Sequence, residues 1–390
     1  MSATVDPGAS APTNGKRRNI LVVIAVIFIV LGMLWGAYWV LVLAKRERTD
    51  DAYVNGNKVV ISAQVSGTVI AVLADDTQLV KAGQVLVRLD PVDAETNLSR
   101  TASALAQMVR QVRQEKATAE QYDSVIQTRR LELARSEADL AKREPLLADR
   151  AIAPEEVRHA RESVELARAA LVQAMHQATS SHALVDGTQV ADNPSVLQAK
   201  TAYRDAWIAA ERNAVVAPVT GYVAERSVQL GQHIQAGQAL MTVIPLNSLW
   251  VDANFKEVQL RHLRIGQPAQ VRSDLYGGSY IFHGHVEGMS AGTGAAFSLL
   301  PAQNASGNWI KVVQRVPVRI QIDDGDLAKS PLRVGLSATV TVDTTNRDGP
   351  VLALHPADKP VGDTQVYAQD FDRANAEADA VVNRNLGSAR

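Results

Sequence analysis

The longest regular pattern in this chain is a seven-residue repeat of apolar positions between Val92 and Asn213. In its first stretch, apolar or small residues recur at every seventh position: Leu98, Leu105, Val112, Ala119, Ile126, Leu133, Leu140 and Leu147. In its second stretch two positions per heptad are apolar or small: Val157, Ala160, Val164, Ala167, Leu171, Ala174, Ala178, Ser181 and Val185. This period predicts helices that pair along a narrow seam, because about 3.5 residues per turn keeps one stripe facing the partner.

Two prolines separate the two stretches. Pro145 and Pro154 fall between the predicted arms, and proline disrupts a helix interior but suits the first turn of a helix. We therefore predict one antiparallel coiled-coil hairpin over residues 92–211, which reverses near residues 144–154. At a rise of about 1.5 Å per residue, an arm of some 50 residues reaches roughly 75 Å. The segment 186–195 contains a glycine and a proline and predicts an interruption of the second arm.

A β-type repeat flanks the hairpin on both sides. Gly67 precedes Gly83 by sixteen residues, Gly221 precedes Gly237 by sixteen residues, and β-branched runs surround all four glycines. An internal repeat of this kind indicates two similar units that pack together. Each unit is too small to be stable alone. We therefore predict that residues 59–91 and 212–245 form one split β-domain.

The N-terminal region has the pattern of a membrane anchor. Residues 1–19 are polar and end in three consecutive cations, and the 24 residues from Ile20 to Leu43 carry no charge. That length crosses a hydrocarbon core of about 30 Å, whereas a cleaved signal peptide has an apolar region of about 7–15 residues. The aromatic residues Trp35, Tyr38 and Trp39 lie at the far end, as in an interfacial belt. We predict an uncleaved helix over 20–43 with a cytoplasmic tail at 1–19, although cations also flank the other end.

The last third of the chain changes character again. Short β runs separated by turns with Gly and Pro over residues 246–345 predict a small β-barrel. Residues 346–390 show no clear pattern beyond an Ala-rich stretch near 371–384, and we expect a C-terminal tail. The fold class is therefore α+β and multidomain: a transmembrane helix, a split β-sandwich, a long α-hairpin and a β-barrel.

Composition and motifs argue against several classes of function. The net charge is −1 and the chain has no cysteine, which disfavours a nucleic-acid protein and excludes disulfides and thiolate sites. His283 and His285 share one face of a predicted strand, but two histidines are too few for a structural metal site. The GTG at 292–294 is too short for a dinucleotide fingerprint, and no GxSxG, HExxH or Walker sequence occurs. We predict a protein that is not an enzyme and binds no cofactor, metal or nucleic acid.

Several of these sequences resemble a known family. The runs "RIGQPAQVRSD" and "RVGLSATVTVD", the segment "VDANFKE" and the insertion "MSAGTGAAFSLLPAQNASGNWIKVVQRVPV" are similar to those of membrane fusion proteins. These HlyD-like periplasmic adaptors have a split lipoyl-like domain, and the closest resemblance is to the EmrA-type adaptors of multidrug export. The resemblance spans residue 17 to about residue 349.

The resemblance implies a place and partners for the protein. It implies a single pass through the inner membrane with the bulk of the chain in the periplasm. It implies a homo-oligomer, trimer or hexamer, that joins a major-facilitator drug transporter to a TolC-like outer-membrane channel. It further implies a docking tip, whose counterparts in this chain are Lys142, Arg143, Leu146, Leu147, Ile152 and Ala153. Ala153 stands where the family pattern has serine, and Pro145 is an added departure.

Three alternatives compete with this interpretation. An adaptor of an ABC-type exporter or of a type I protein secretion system would have the same architecture. A lipoyl or biotinyl carrier would need an exposed lysine at a hairpin joining the β halves, and here that connection enters the coiled coil. A passive coiled-coil spacer would not need a split β repeat. At the tip, a polar turn closed by leucines is the alternative to docking.

Overall fold

The computed structural model describes residue 3 and residues 15–41, 45–277, 279–297, 313–353, 355–356 and 360–387. The expected end of the anchor at Leu43 and residues 298–312 of the insertion lie outside these ranges. In chain order the helices and strands are α1 (Gly15–Leu41), β1 (Arg46–Gly56), β2 (Val59–Ser62), β3 (Gly67–Val72), β4 (Leu79–Val80), β5 (Val85–Leu89), α2 (Val92–Ala148), α3 (Pro154–His182), α4 (Pro194–Glu211), β6 (Ala214–Val216), β7 (Gly221–Arg226), β8 (His233–Ile234), β9 (Ala239–Ile244), β10 (Leu249–Lys256), β11 (Pro268–Ser273), β12 (Phe282–Met289), β13 (Arg315–Ile322), α5 (Asp324–Lys329), β14 (Ser337–Asp343) and α6 (Asp370–Leu386). The chain divides into two compact units, residues 1–59 with 244–362 and residues 60–243 with 363–390.

Helix α1 presents apolar side chains to its surroundings along most of its length. Its large aliphatic residues from Ile20 to Leu34 are exposed, and so are Trp35 and Tyr38, whose rings lie 6.2 Å apart. Within the described residues, α1 is the one helix long and apolar enough to cross a membrane. Its length and composition suit the predicted anchor, because about 20 apolar residues span the hydrocarbon core.

The first unit contains a closed barrel with the strand order β1-β10-β13-β12-β11-β14. Strand β10 shows how the core is built, because alternate residues Leu249, Val251, Ala253 and Phe255 are buried. The sequence analysis predicted the barrel over residues 246–345 alone, but the closed barrel also contains β1 (Arg46–Gly56). The polar sequence RERTDDAYVNG concealed this strand, since only Thr49, Ala52, Val54 and Gly56 are buried.

The second unit contains a β-sandwich of two four-stranded sheets, β2-β9-β7-β4 and β6-β5-β3-β8. Each sheet takes strands from both sides of the hairpin. The two sheets are equivalent, because replacing β2, β3, β4 and β5 by β6, β7, β8 and β9, and the reverse, converts one strand order into the other. Gly83 donates its N–H to the Ala217 carbonyl at 2.8 Å, and Gly237 donates to the Ala63 carbonyl at 2.7 Å. Both glycines have left-handed φ angles of 81° and 87°, which glycine adopts without steric cost. Gly67 and Gly221 begin the equivalent strands β3 and β7.

Helix α2 carries the rest of the second unit. Its 57 residues span roughly 85 Å, and α3, α4 and α6 all pack against it. The predicted interruption lies between His182 and Pro194, where Asn193 caps α4 by accepting a hydrogen bond from the Ser195 N–H at 3.0 Å. The expected C-terminal tail is in part a structural helix: α6 covers α2 and α4 instead of extending freely.

Candidate docking tip and its supports

The hairpin reverses over five residues between Ala148 and Pro154. Two hydrogen bonds close the end of α2: the Arg150 N–H donates to the Leu147 carbonyl at 3.1 Å, and the Ala151 N–H donates to the Leu146 carbonyl at 2.9 Å. This pair of bonds is the Schellman motif, which satisfies carbonyls at a helix end. Arg150 takes the left-handed conformation of that motif with φ of 55°.

Pro145 was expected between the arms, but it lies inside α2. Pro154 occupies the first turn of α3. A proline one turn before a helix end removes one hydrogen bond to the carbonyl four residues earlier, and only three residues of helix follow it. The Asp149 N–H still donates to the Pro145 carbonyl at 3.3 Å. The reversal is therefore shorter than the sequence suggested, and it places Leu146 and Leu147 on the last helical turn.

The six predicted tip residues differ in exposure. Leu146 is 43% exposed, while Leu147 and Ile152 are half-buried. Lys142 and Ala153 are exposed, and the Arg143 side chain pairs with Asp139 at 2.9 Å on the same helix. The arrangement brings an apolar side chain and cations to the far end of the hairpin. It can form an end-on contact with another protein surface.

We call the last part of α2 (residues 119–148) together with α3 the shaft. Its seam buries mostly small residues, namely Ala119, Val157, Ala160, Val164, Ala174 and Ala178. Leu133 and Leu140 are only half-buried. Ion pairs also cross between the arms, from Arg161 to Glu144 at 3.0 Å and from Arg168 to Glu137 at 3.5 Å. The shaft is thus a two-helix coil with a thin core.

We call the first part of α2 (residues 92–118) together with α4 and α6 the base. Its core is larger than that of the shaft and comprises Leu105, Val109, Val112, Val196, Tyr203, Trp207, Ala374, Ala378, Val381 and Val382. The Arg373 guanidinium lies 5.2 Å from the Trp207 ring centroid, and Lys200 pairs with Asp379 at 2.5 Å. The sequence analysis identified the Ala-rich stretch of α6 but did not predict that this helix contributes to the core of the base. The signal was the spacing of Ala374, Ala378, Val381 and Val382 along one helix face.

His182 connects three segments where the base meets the shaft. It is the last residue of α3, and its Nδ1 lies 2.7 Å from the Asp186 carboxylate while its Nε2 lies 3.1 Å from the Asp123 carboxylate. Only a protonated imidazole can donate to both carboxylates. These hydrogen bonds, first to Asp186 and then to Asp123, raise the pKa of His182.

The remaining candidates are surface features. His283 and His285 are both exposed on β12, and His283 Nδ1 lies 3.0 Å from the Asp326 carboxylate. Across the residues that the structure describes, no group of three or more His, Cys, Asp or Glu side chains is placed to hold a metal ion. After β5, the chain enters α2 within two residues, so the β halves are joined by the hairpin and not by a short turn bearing a carrier lysine.

Two family models match this chain. One is described as the EMRA alpha-helical hairpin domain and covers residues 92–213, and the other is described as the AAEA-like beta-barrel domain and covers residues 248–343. Together they cover more than half of the chain.

Similar full-length proteins were also found. "Multidrug export protein EmrA" of Escherichia coli (strain K12) is 45% identical over 390 residues, which is 99% of this chain and 100% of that protein. "Fatty acid resistance protein FarA" of Neisseria gonorrhoeae is 43% identical over 390 residues, which is 100% of this chain and 97% of that protein. Among solved structures, that of the periplasmic adaptor protein EmrA is 21% identical with a TM-score of 0.38, and the match covers 77% of this chain and 98% of the other.

Proposed function

The chain belongs to the EmrA family of membrane fusion proteins, and from that premise we propose that it is the periplasmic adaptor of a tripartite drug efflux pump. Proteins of this family are adaptors of multidrug export and not enzymes. In our proposal α1 anchors the chain once in the inner membrane, and the remainder lies in the periplasm. A homo-oligomer, trimer or hexamer, joins a major-facilitator transporter to a TolC-like outer-membrane channel.

The observation that carries this proposal is the exposed leucine at the end of a long helix. Helix α2 extends roughly 85 Å, and Leu146 lies on its last turn with 43% of its surface exposed. Full burial of a leucine contributes about 1.5–3 kcal/mol relative to exposure. Because Leu146 is already partly buried, a contact gains only part of this energy per subunit, and repetition around a ring with support from Leu147 adds these parts together.

Substitutions at the tip test this contact. We expect Leu146→Asp or Leu147→Asp to abolish drug export, because a carboxylate in the contact would be desolvated without a partner. Leu131→Asp is the matched control: Leu131 is also on α2, is 73% exposed, and lies about four turns before the tip. Drug susceptibility of cells that carry each variant is the readout, and circular dichroism and sizing verify the fold and the oligomer. Normal resistance with both tip variants would contradict docking through these leucines.

Topology supplies a second test. Protease added to spheroplasts should digest the chain beyond residue 44, because only α1 spans the membrane in this proposal. Survival of residues 60–340 in sealed spheroplasts would contradict the periplasmic location.

The identity of the transporter separates the proposal from its rival. The names of the similar proteins refer to multidrug export and to fatty acid resistance, which favours hydrophobic toxic compounds as cargo. An adaptor of an ABC exporter or of a type I secretion system would share the same hairpin and barrel. A protonophore should stop export at constant ATP if the partner is a proton-driven major-facilitator protein. Export that follows ATP alone would favour the ABC alternative, and an adjacent gene for a 14-helix transporter would favour the proposal.

A further inference from the structure

Arg150 holds an unusual backbone conformation at the tip. Its φ of 55° places it in the left-handed region, and the two hydrogen bonds from Arg150 and Ala151 to the last turn of α2 require that conformation. Glycine is the usual residue at this position of a Schellman motif, because it has no Cβ to clash with the following carbonyl. Arginine therefore occupies a position where glycine would give a more stable turn.

Among the residues that the structure describes, the side chain of Arg150 also has no polar partner. Three nearby arginines are paired: Arg143 with Asp139, Arg158 with Glu155, and Arg161 with Glu144. Within the described part of the chain, the exposed side chains of Arg150 and Lys142 have neither an ion pair nor a hydrogen bond. In the described structure, Arg150 and Lys142 are thus two unpaired cations at the end of the hairpin.

These two cations flank the exposed leucine. Leu146 lies one helical turn after Lys142, and Arg150 follows Leu146 by four residues, just beyond the end of α2. Lys142 shares a helix face with Leu146, and the hydrogen bonds from Arg150 and Ala151 hold the backbone of Arg150 beside the last turn of α2. A surface that covers Leu146 therefore comes close to both cations. Because an unpaired charge that loses water is costly, such a surface has to supply negative groups. A guanidinium binds a carboxylate through two parallel hydrogen bonds, which an ammonium cannot do.

We propose that Arg150 is a further contact residue of the tip and that it binds carboxylates on the end of the outer-membrane channel. This inference rests on the proposed docking function and adds a residue and a partner chemistry to it. Leu146 supplies the apolar part of the contact, and Arg150 and Lys142 supply its charge. The backbone strain at Arg150 is retained because the side chain is needed for binding.

The test combines stability with binding in the full-length chain. Arg150→Gly should raise the thermal unfolding temperature or leave it unchanged, because glycine suits the left-handed position. The same variant should weaken binding to the purified TolC-like channel of the same cells by roughly tenfold at 50 mM salt. Its binding should also depend less on salt than that of the unsubstituted chain, because one ion pair is lost. Arg158→Gln is the matched control, since it removes a cation that is already paired on α3.

Each outcome decides between a contact and a structural role. Weaker, less salt-dependent binding by a variant of equal or higher stability supports the proposal. Unchanged binding by Arg150→Gly would overturn it, as would a fall in stability that accounts for the loss of binding. Leu146→Asp, measured in parallel, separates the docking proposal from the proposal for Arg150. If Leu146→Asp loses binding and Arg150→Gly does not, docking stands and the role of Arg150 fails. If neither variant loses binding, the docking function itself fails.

Discussion

The base and the shaft of the hairpin share one seven-residue pattern and are stabilised in different ways. In the base, α6 adds a third helix, and Trp207 and Tyr203 are buried among aliphatic side chains. In the shaft, two helices bury mostly alanine and valine, and exposed ion pairs cross between the arms. The difference shows that a heptad pattern predicts which residues face a partner, but not how many helices supply that partner.

The contrast has a functional consequence. In the base, three helices share one core around the first part of α2, whereas the thin core of the shaft leaves more of its leucine side chains exposed. Leu131 and Leu166 are 73% and 72% exposed in the shaft, whereas Leu105 is fully buried in the base. We therefore expect the contact with the outer-membrane channel at the tip, and the exposed leucines of the shaft serve as positions outside that contact. The base stabilises the start of the hairpin through contacts among α2, α4 and α6 of one chain.

Removal of α6 should have the largest effect on this contrast. A chain that ends at residue 362 loses Val381 and Val382, whose burial alone contributes about 3–6 kcal/mol. We expect hydrogen exchange to accelerate in α4 and in residues 98–118 of α2, while α3 keeps its protection. Asp379→Asn in the full-length chain is the control, because it removes the pair with Lys200 but keeps the helix. Unchanged exchange in α4 after truncation would show that α6 does not stabilise the base.

A matched pair of leucines measures the same contrast at single residues. Leu105 and Leu133 occupy equivalent heptad positions, and Leu105 is fully buried while Leu133 is half-buried. Leu105→Ala should lower the free energy of unfolding by about 2–5 kcal/mol, and Leu133→Ala by about half as much. Chemical denaturation of the two variants gives the comparison. Equal losses would mean that the shaft is as well packed as the base.

His182 should make the junction between base and shaft sensitive to pH. Its pKa is raised above the ordinary value of about 6.5, first by Asp186 and then by Asp123. The stabilisation is therefore complete below that ordinary value and is lost as the pH rises through the raised pKa. We expect faster hydrogen exchange in residues 183–193 at pH 8.5 than at pH 5.5, after correction for intrinsic rates. His182→Gln should remove the difference and His176→Gln should not; a difference that persists in His182→Gln would rule out this histidine as the cause.

The ion pairs of the shaft should have the smallest effect. Arg161 and Glu144 are both largely exposed, so Arg161→Gln should cost only about 0.2–1 kcal/mol and should matter less in high salt. Arg158→Gln serves as the control, because Arg158 pairs with Glu155 on the same helix. A loss above this range for Arg161→Gln would mean that charge, and not the thin apolar seam, holds the arms together.

Much of the architecture follows from the sequence because long periodic patterns leave few alternatives. The heptads from Leu98 to Val185 predict the hairpin, and the equal spacing from Gly67 to Gly83 and from Gly221 to Gly237 predicts the split β-domain. Strand β1 was missed because polar side chains hid the buried residues Thr49, Ala52 and Val54. The prediction that Pro145 lies in the turn was wrong. It rested on the cost of proline in a helix interior, and that cost is small in a last turn, where few residues of helix follow.

The candidate site was predicted only in part. The resemblance to a family pointed to Leu146 and Lys142, and the structure adds their exposure. Arg150 could not be found from the pattern, because nothing in a sequence marks an arginine that adopts a left-handed conformation. The role of α6 could be recognised only from the structure, because the sequence of a short Ala-rich helix does not show that it packs against α2 and α4.

Site-specific photo-crosslinking in intact cells tests the central claim most directly, namely that the base holds the hairpin while the tip docks. A photoreactive residue would replace Leu146 at the tip, Leu131 in the shaft or, as a buried control, Leu105 in the base. The account predicts an adduct with the TolC-like outer-membrane channel from position 146, none with the channel from position 131, and none with another protein from position 105. The absence of a channel adduct at position 146, or equal channel adducts at positions 146 and 131, would contradict it.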